Sequence, residues 1–154
     1  MTHWMIWLAV PLGILSTAVV FGTDIFFLTI GRVALKRASA DAGTEVMGFF
    51  HLFADARMPF WGILAIVSNI LLAVLTVSQH RWFYGSSIVM LILFVVFYTR
   101  LAKPINQIQI EAAKNGKILA NARELQAAWD GLLLVRVPLL LVSLLAQCLA
   151  LMFA

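Results

Sequence analysis

An all-α fold, a bundle of four membrane-crossing helices, is predicted by three features: the composition, four long apolar runs, and the placement of nearly all charge between those runs. Hydrophobic residues make up 63% of the 154 positions and charged residues only 12%, with a mean hydropathy of +0.99. Soluble domains lie well below that hydropathy. A crossing helix needs about 20 apolar residues to span about 30 Å of hydrocarbon. A chain of this length therefore holds only a few, as a single domain over residues 1–154 in contact with the lipid bilayer.

The four runs are residues 7–28, 59–78, 83–99 and 132–153. The first is read as a helix rather than a secretory signal, because no basic stretch precedes it and Thr23-Asp24-Ile25 is no cleavage site. The second and third are joined by Gln79-His80-Arg81, short enough to require an antiparallel hairpin. Ahead of the second run, residues 45–58 (EVMGFFHLFADARM) are apolar enough to form a helix, either lying in the interface or extending the second run inward. The third loop, with PINQIQIEAAK, Asn115-Gly116 and KILANARELQAAW, predicts two short helices about a turn, with Pro104 suited to a helix start.

Basic residues set the orientation. Arg32, Lys36, Arg37 and Arg57 lie in loop one, and Arg100, Lys103, Lys114, Lys117 and Arg123 in loop three, against Arg81 alone in loop two. Basic residues collect on the cytoplasmic side, so both termini are expected outside a cell (inner) membrane. The same collar accounts for the net charge of +4 and pI of 9.7 without nucleic acid, for which no recognition motif is present. Cys148 is the only cysteine, so no disulfide can form within the chain. His3, His51 and His80 fall on separate segments and on both membrane sides, so no metal site is expected of them.

The polar and small residues recur at helical spacing. Trp129, Arg136, Ser143 and Gln147 share one stripe of the last helix; Gly13, Thr17, Asp24 and Gly31 share one of the first. Gly48, His51, Asp55, Gly62 and Asn69 align along the second if the helix runs straight through Pro59, and Tyr84, Ser87 and Tyr98 form a weaker set on the third. Such stripes ordinarily form the seam between membrane helices. Asp24 and Arg136 stand apart because ionisable groups within spanning segments are rare and face the interior or a pathway. Both lie about 6 Å inside the cytoplasmic ends of their helices at 1.5 Å of rise per residue. Three readings stay open: Arg136 snorkels to the headgroups, it pairs with Asp24 as a structural ion pair, or it belongs to a functional site.

Pro104-Ile105-Asn106, followed by Trp129 and, seven residues later, Arg136, resembles the small four-helix membrane proteins of the anthrone-oxygenase-like family. The likeness covers the stretch from Arg100 to the C-terminus. Members often carry His or Asn three residues before the arginine, where this chain has Leu133. The resemblance implies a role like that of relatives that oxidise an anthrone to an anthraquinone with no recognised cofactor, and it extends to Asn106, Trp129 and Arg136. In that role Arg136 stabilises a phenolate or enolate oxygen and Trp129 stacks on the ring system. His51, which the resemblance does not supply, is the candidate general base, oriented by Asp55 one turn on; Asp24 and Asn69 complete the candidate ligand-binding set. The expected partner is an apolar aromatic or quinone-like molecule entering from the bilayer. The alternative is a non-catalytic subunit or assembly factor, bound to a larger membrane partner or to copies of itself.

The orientation is directly testable. Reporter fusions after Ala154 are expected to behave as periplasmic and a fusion at Asn115 as cytoplasmic; a cytoplasmic C-terminus reverses the assignment.

Overall fold

A computed structural model describes residues 3–76 and 80–153. Ser78, the expected end of the second span, and Gln79 of the hairpin connection lie outside the described residues. The helices are α1 (His3–Phe26), α2 (Arg32–Arg37), α3 (Ala40–Leu75), α4 (Arg81–Phe97), α5 (Lys103–Lys114) and α6 (Ala122–Met152). A π turn, Phe27–Gly31, joins α1 to α2, and a second, Tyr98–Ala102, joins α4 to α5. Four rods result, each long and apolar enough to cross a membrane: Trp4–Arg37, Ala40–Leu75, Arg81–Lys114 and Ala122–Met152. The all-α four-helix bundle expected from the sequence is the observed fold.

Each rod packs on the next and the last packs on the first, so α1 and α4 lie diagonally opposed, with α3 and α6 on the other diagonal. The bundle is apolar outside: Trp7, Trp82 and Val74 are 75%, 78% and 69% exposed, while Thr17, Asn69, Ser87 and Ser143 inside are 0% exposed. Such an outward face suits the apolar surroundings of lipid tails.

The loops settle one open alternative and differ from expectation in one respect. The 36 residues of α3 would measure about 54 Å, well beyond the hydrocarbon thickness. Residues 45–58 therefore take the second of the two courses left open by the sequence, extending the second rod inward. The two loop-three helices, expected as separate short elements, are instead continuations of the third and fourth rods. Pro104 is in the first turn of α5, as a helix start requires, but the helix behind it does not stop. A proline there has no N–H to offer and crowds the carbonyl four residues back, a mismatch that the wider π turn ending at Ala102 absorbs. The turn at Asn115-Gly116 forms as the pair predicts: Gly116 has φ +59°, Lys117 N–H bonds Ala112 O at 2.9 Å, and α5 ends in a Schellman motif.

Two local devices hold the loop-side ends. Ser39 caps α3, its hydroxyl accepting from Ala42 N–H at 3.2 Å, and Asp41 complements the helix dipole. Arg123, at the start of α6, donates to the carbonyls of Leu35, Lys36 and Ala38 at 3.1, 3.3 and 2.6 Å, satisfying acceptors left open where α2 ends.

Close approach of α3 to α5 depends on Gly48. A Cβ there would collide with the Gln109 carbonyl and the Ala113 methyl, and backbone cannot rotate aside as a side chain can. Gly48→Ala is expected to cost about 1 to 3 kcal/mol as overpacking and to lower the thermal midpoint in detergent. An unchanged midpoint would show that the two helices separate without penalty.

Candidate functional site

The interior is layered. Toward the end of the bundle bearing the α3–α4 connection, Ala9, Leu72, Tyr84 and Ala150 form an apolar layer. Next is a polar layer in which Gln147 Nε2 donates to Thr17 Oγ1 at 2.9 Å and Ser87 Oγ at 3.1 Å, while the Ser87 and Ser143 hydroxyls pair at 2.8 Å. Gly13 makes room for it, since a Cβ there would sit 3.1 Å from Gln147 Oε1. Val20, Ala65, Leu91 and Leu140 close that layer off. One turn farther toward the loop side are Asp24 and Arg136.

Arg136 and Asp24 pair directly: Nη2 donates to Asp24 Oδ1 at 2.8 Å, with the two residues 7% and 3% exposed. Of the three readings left open by the sequence, snorkelling is excluded in this arrangement. The guanidinium carbon also lies 5.2 Å from the ring centre of Phe94, 5.7 Å from Trp129 and 5.9 Å from Tyr98, within range of the attraction between a cation and a ring face. Arg136 Nε and Asp24 Oδ2 are buried with no hydrogen-bond partner among the described residues.

A second file of contacts runs from this pair toward the loops. Trp129 Nε1–H donates to Asn106 Oδ1 at 3.0 Å, and Asn106 Nδ2 donates to Asp55 Oδ1 at 3.0 Å. The indole is walled by His51 at 5.2 Å and by Phe27, edge-on, at 5.4 Å. Leu133, fully buried, packs with Met47, Ala102 and Trp129 and so adds an apolar surface to the same cluster. Farther out, Gln109 Nε2 donates to Gln126 Oε1 at 3.3 Å and Gln126 Nε2 to Asp130 Oδ1 at 2.8 Å, beside a small cleft that both glutamines line.

The structure thus brings together Asp24, Asn106, Trp129 and Arg136, with Asp55 and His51 at the edge of the group. Two expectations need correction. Asp55 does not orient His51 by a hydrogen bond: its carboxylate is taken by Asn106, and Gln109 is the polar side chain beside the imidazole, whose Nε2 is buried without a partner among the described residues. Asn69 is not in the group, because the Val20–Ala65–Leu91–Leu140 layer intervenes and its Nδ2 is spent on the Ala65 carbonyl at 2.8 Å. Phe27, Phe94 and Tyr98 were not singled out as site residues. Of the three, only Tyr98 carried a signal, as a member of the weaker polar set on the third helix, whereas the phenylalanines were lost among eleven.

Fold and site together define a small multi-pass membrane protein whose described residues include an ion pair buried inside the bundle. No protein-family model, curated protein or solved structure matches the chain.

The ion pair predicts a particular pattern of coupling. Arg136→Leu or Asp24→Leu alone strands a charge and is expected to lower thermal stability in detergent, while the double change recovers much of the loss, with a coupling on the order of 1 to 3 kcal/mol. Purely additive effects would show that the pair contributes nothing.

Proposed function

We propose that the protein binds an apolar, carbonyl-bearing aromatic molecule of the quinone-like class, taken from the bilayer at Arg136. One observation supports this most: a guanidinium inside the bundle, balanced in charge by Asp24, has an Nε with no partner among the described residues and three aromatic rings about it. Because Asp24 already neutralises Arg136, an anionic ligand would leave one net negative charge in a low-dielectric site. A neutral carbonyl oxygen accepts the spare N–H without that cost. The Arg136 role implied by the family resemblance, stabilising an anionic phenolate or enolate, is therefore replaced here by holding an uncharged acceptor. Phe94 and Tyr98 are only half-buried and offer an apolar approach from the lipid side. The match of Asn106, Trp129 and Arg136 to the anthrone-oxygenase-like pattern supports the same class of ligand, and the chain is proposed as a divergent relative of that family.

The test uses a variant whose sole tryptophan is Trp129, made with Trp4→Phe, Trp7→Phe, Trp61→Phe and Trp82→Phe, in lipid nanodiscs. Titration with 2-methyl-1,4-naphthoquinone is expected to quench its fluorescence saturably. Arg136→Lys keeps the charge but loses the planar donor fork, and is expected to weaken binding about tenfold, the value of one hydrogen bond, with little change in thermal midpoint. Quenching that is linear and identical in both proteins overturns the reading.

A further inference from the structure

The π turn at Phe27–Gly31 sits beside α6 at the level of Trp129. Single π turns within α-helices recur at functional sites because they re-aim the side chains around them. Gly31, buried, is the last residue of this one. A Cβ on a helical residue points back over the preceding turn, and at position 31 it would lie 2.6 Å from Phe27 Cδ1, 3.3 Å from Cε1 and 3.4 Å from Cγ. The Phe27 ring therefore occupies the space that any other residue at position 31 would need.

That ring has a definite task. It meets Trp129 edge-on at 5.4 Å and Phe50 edge-on at 5.6 Å, forming the wall of the indole that His51 does not. The opposite requirement, that Trp129 donate to Asn106 while its ring lies 5.7 Å from the guanidinium, leaves the indole little freedom so long as both walls stand. We infer that Gly31 is a positioning residue for the Arg136–Trp129 site, acting through Phe27: its missing side chain seats the ring that fixes the indole. The consequence for ligand affinity rests on the function proposed above, whereas the consequence for the indole itself does not.

Two readouts separate these, both made on the protein whose only tryptophan is Trp129. Gly31→Ala is expected to shift the Trp129 emission maximum and raise its quenching by acrylamide, and to weaken naphthoquinone binding about two- to tenfold, the worth of one aromatic contact. Phe27→Ala should do the same, and adding Gly31→Ala to Phe27→Ala should change neither readout further. Unchanged Trp129 emission in Gly31→Ala, or an equal shift in both backgrounds, overturns the inference. If Gly31→Ala alone does not fold, the double change Gly31→Ala with Phe27→Ala carries the test, since removing the ring removes the clash: recovery of folding with the Trp129 emission of Phe27→Ala supports the assignment, and failure to fold overturns it. Loss of naphthoquinone binding in every protein, the starting one included, would discard the ligand while the spectral outcome still decides the role of Gly31.

Discussion

A single positive charge inside a low-dielectric medium has to be answered from within the protein, and much of the loop-side interior is arranged about that need. Arg136 is answered in charge by Asp24 and in polarisability by three aromatic rings. Those rings must in turn be held. Trp129 is held by Asn106 and Phe27, and Asn106 by Asp55 from a third rod. The pair spans α1 and α6, and the amide between indole and carboxylate adds α5 and α3. One ionic contact thus recruits all four rods into a defined arrangement that apolar packing alone, between helices already bathed in apolar lipid, does not specify.

The two π turns belong to the same arrangement. They occur on the diagonally opposed first and third rods, each beside α6. One carries Phe27 to the indole and the other begins at Tyr98, whose ring faces the guanidinium. Since the helices continue beyond them rather than ending, the site lies mid-rod, supported on both sides by packed helix. That is a stiffer foundation than a loop would provide.

Much of this was legible because burial in a membrane bundle concentrates on positions about seven residues apart. Gly13, Thr17, Asp24 and Gly31, and likewise Trp129, Arg136, Ser143 and Gln147, are all buried as their spacing indicated. Polar residues on apolar helices are conspicuous, which is why the ion pair and the Gln147 cluster were accessible from sequence. What escaped was of two kinds. The aromatic neighbours of Arg136 differ in no local way from lipid-facing phenylalanines, and only the fold says which of them turn inward. Stripe membership also says nothing of depth, so Asn69 was grouped with residues from which a full apolar layer separates it. The continuity of the loop-three helices with their rods escaped for another reason: their polarity marks where the bilayer ends, and a helix need not end there.

Arg123, which fastens the start of α6 to the end of α2, is one of three polar ties between the first and last rods among the described residues. Asp24–Arg136 is the second and Thr17–Gln147 the third. Two antiparallel helices joined at one point can pivot, and joined at two can still bow apart. With three ties in line, sliding either helix by one residue, about 1.5 Å along its axis, strains all three at once. The seam therefore works as a vernier: it sets the longitudinal alignment of the chain's two ends, and so the closure of the ring of helices.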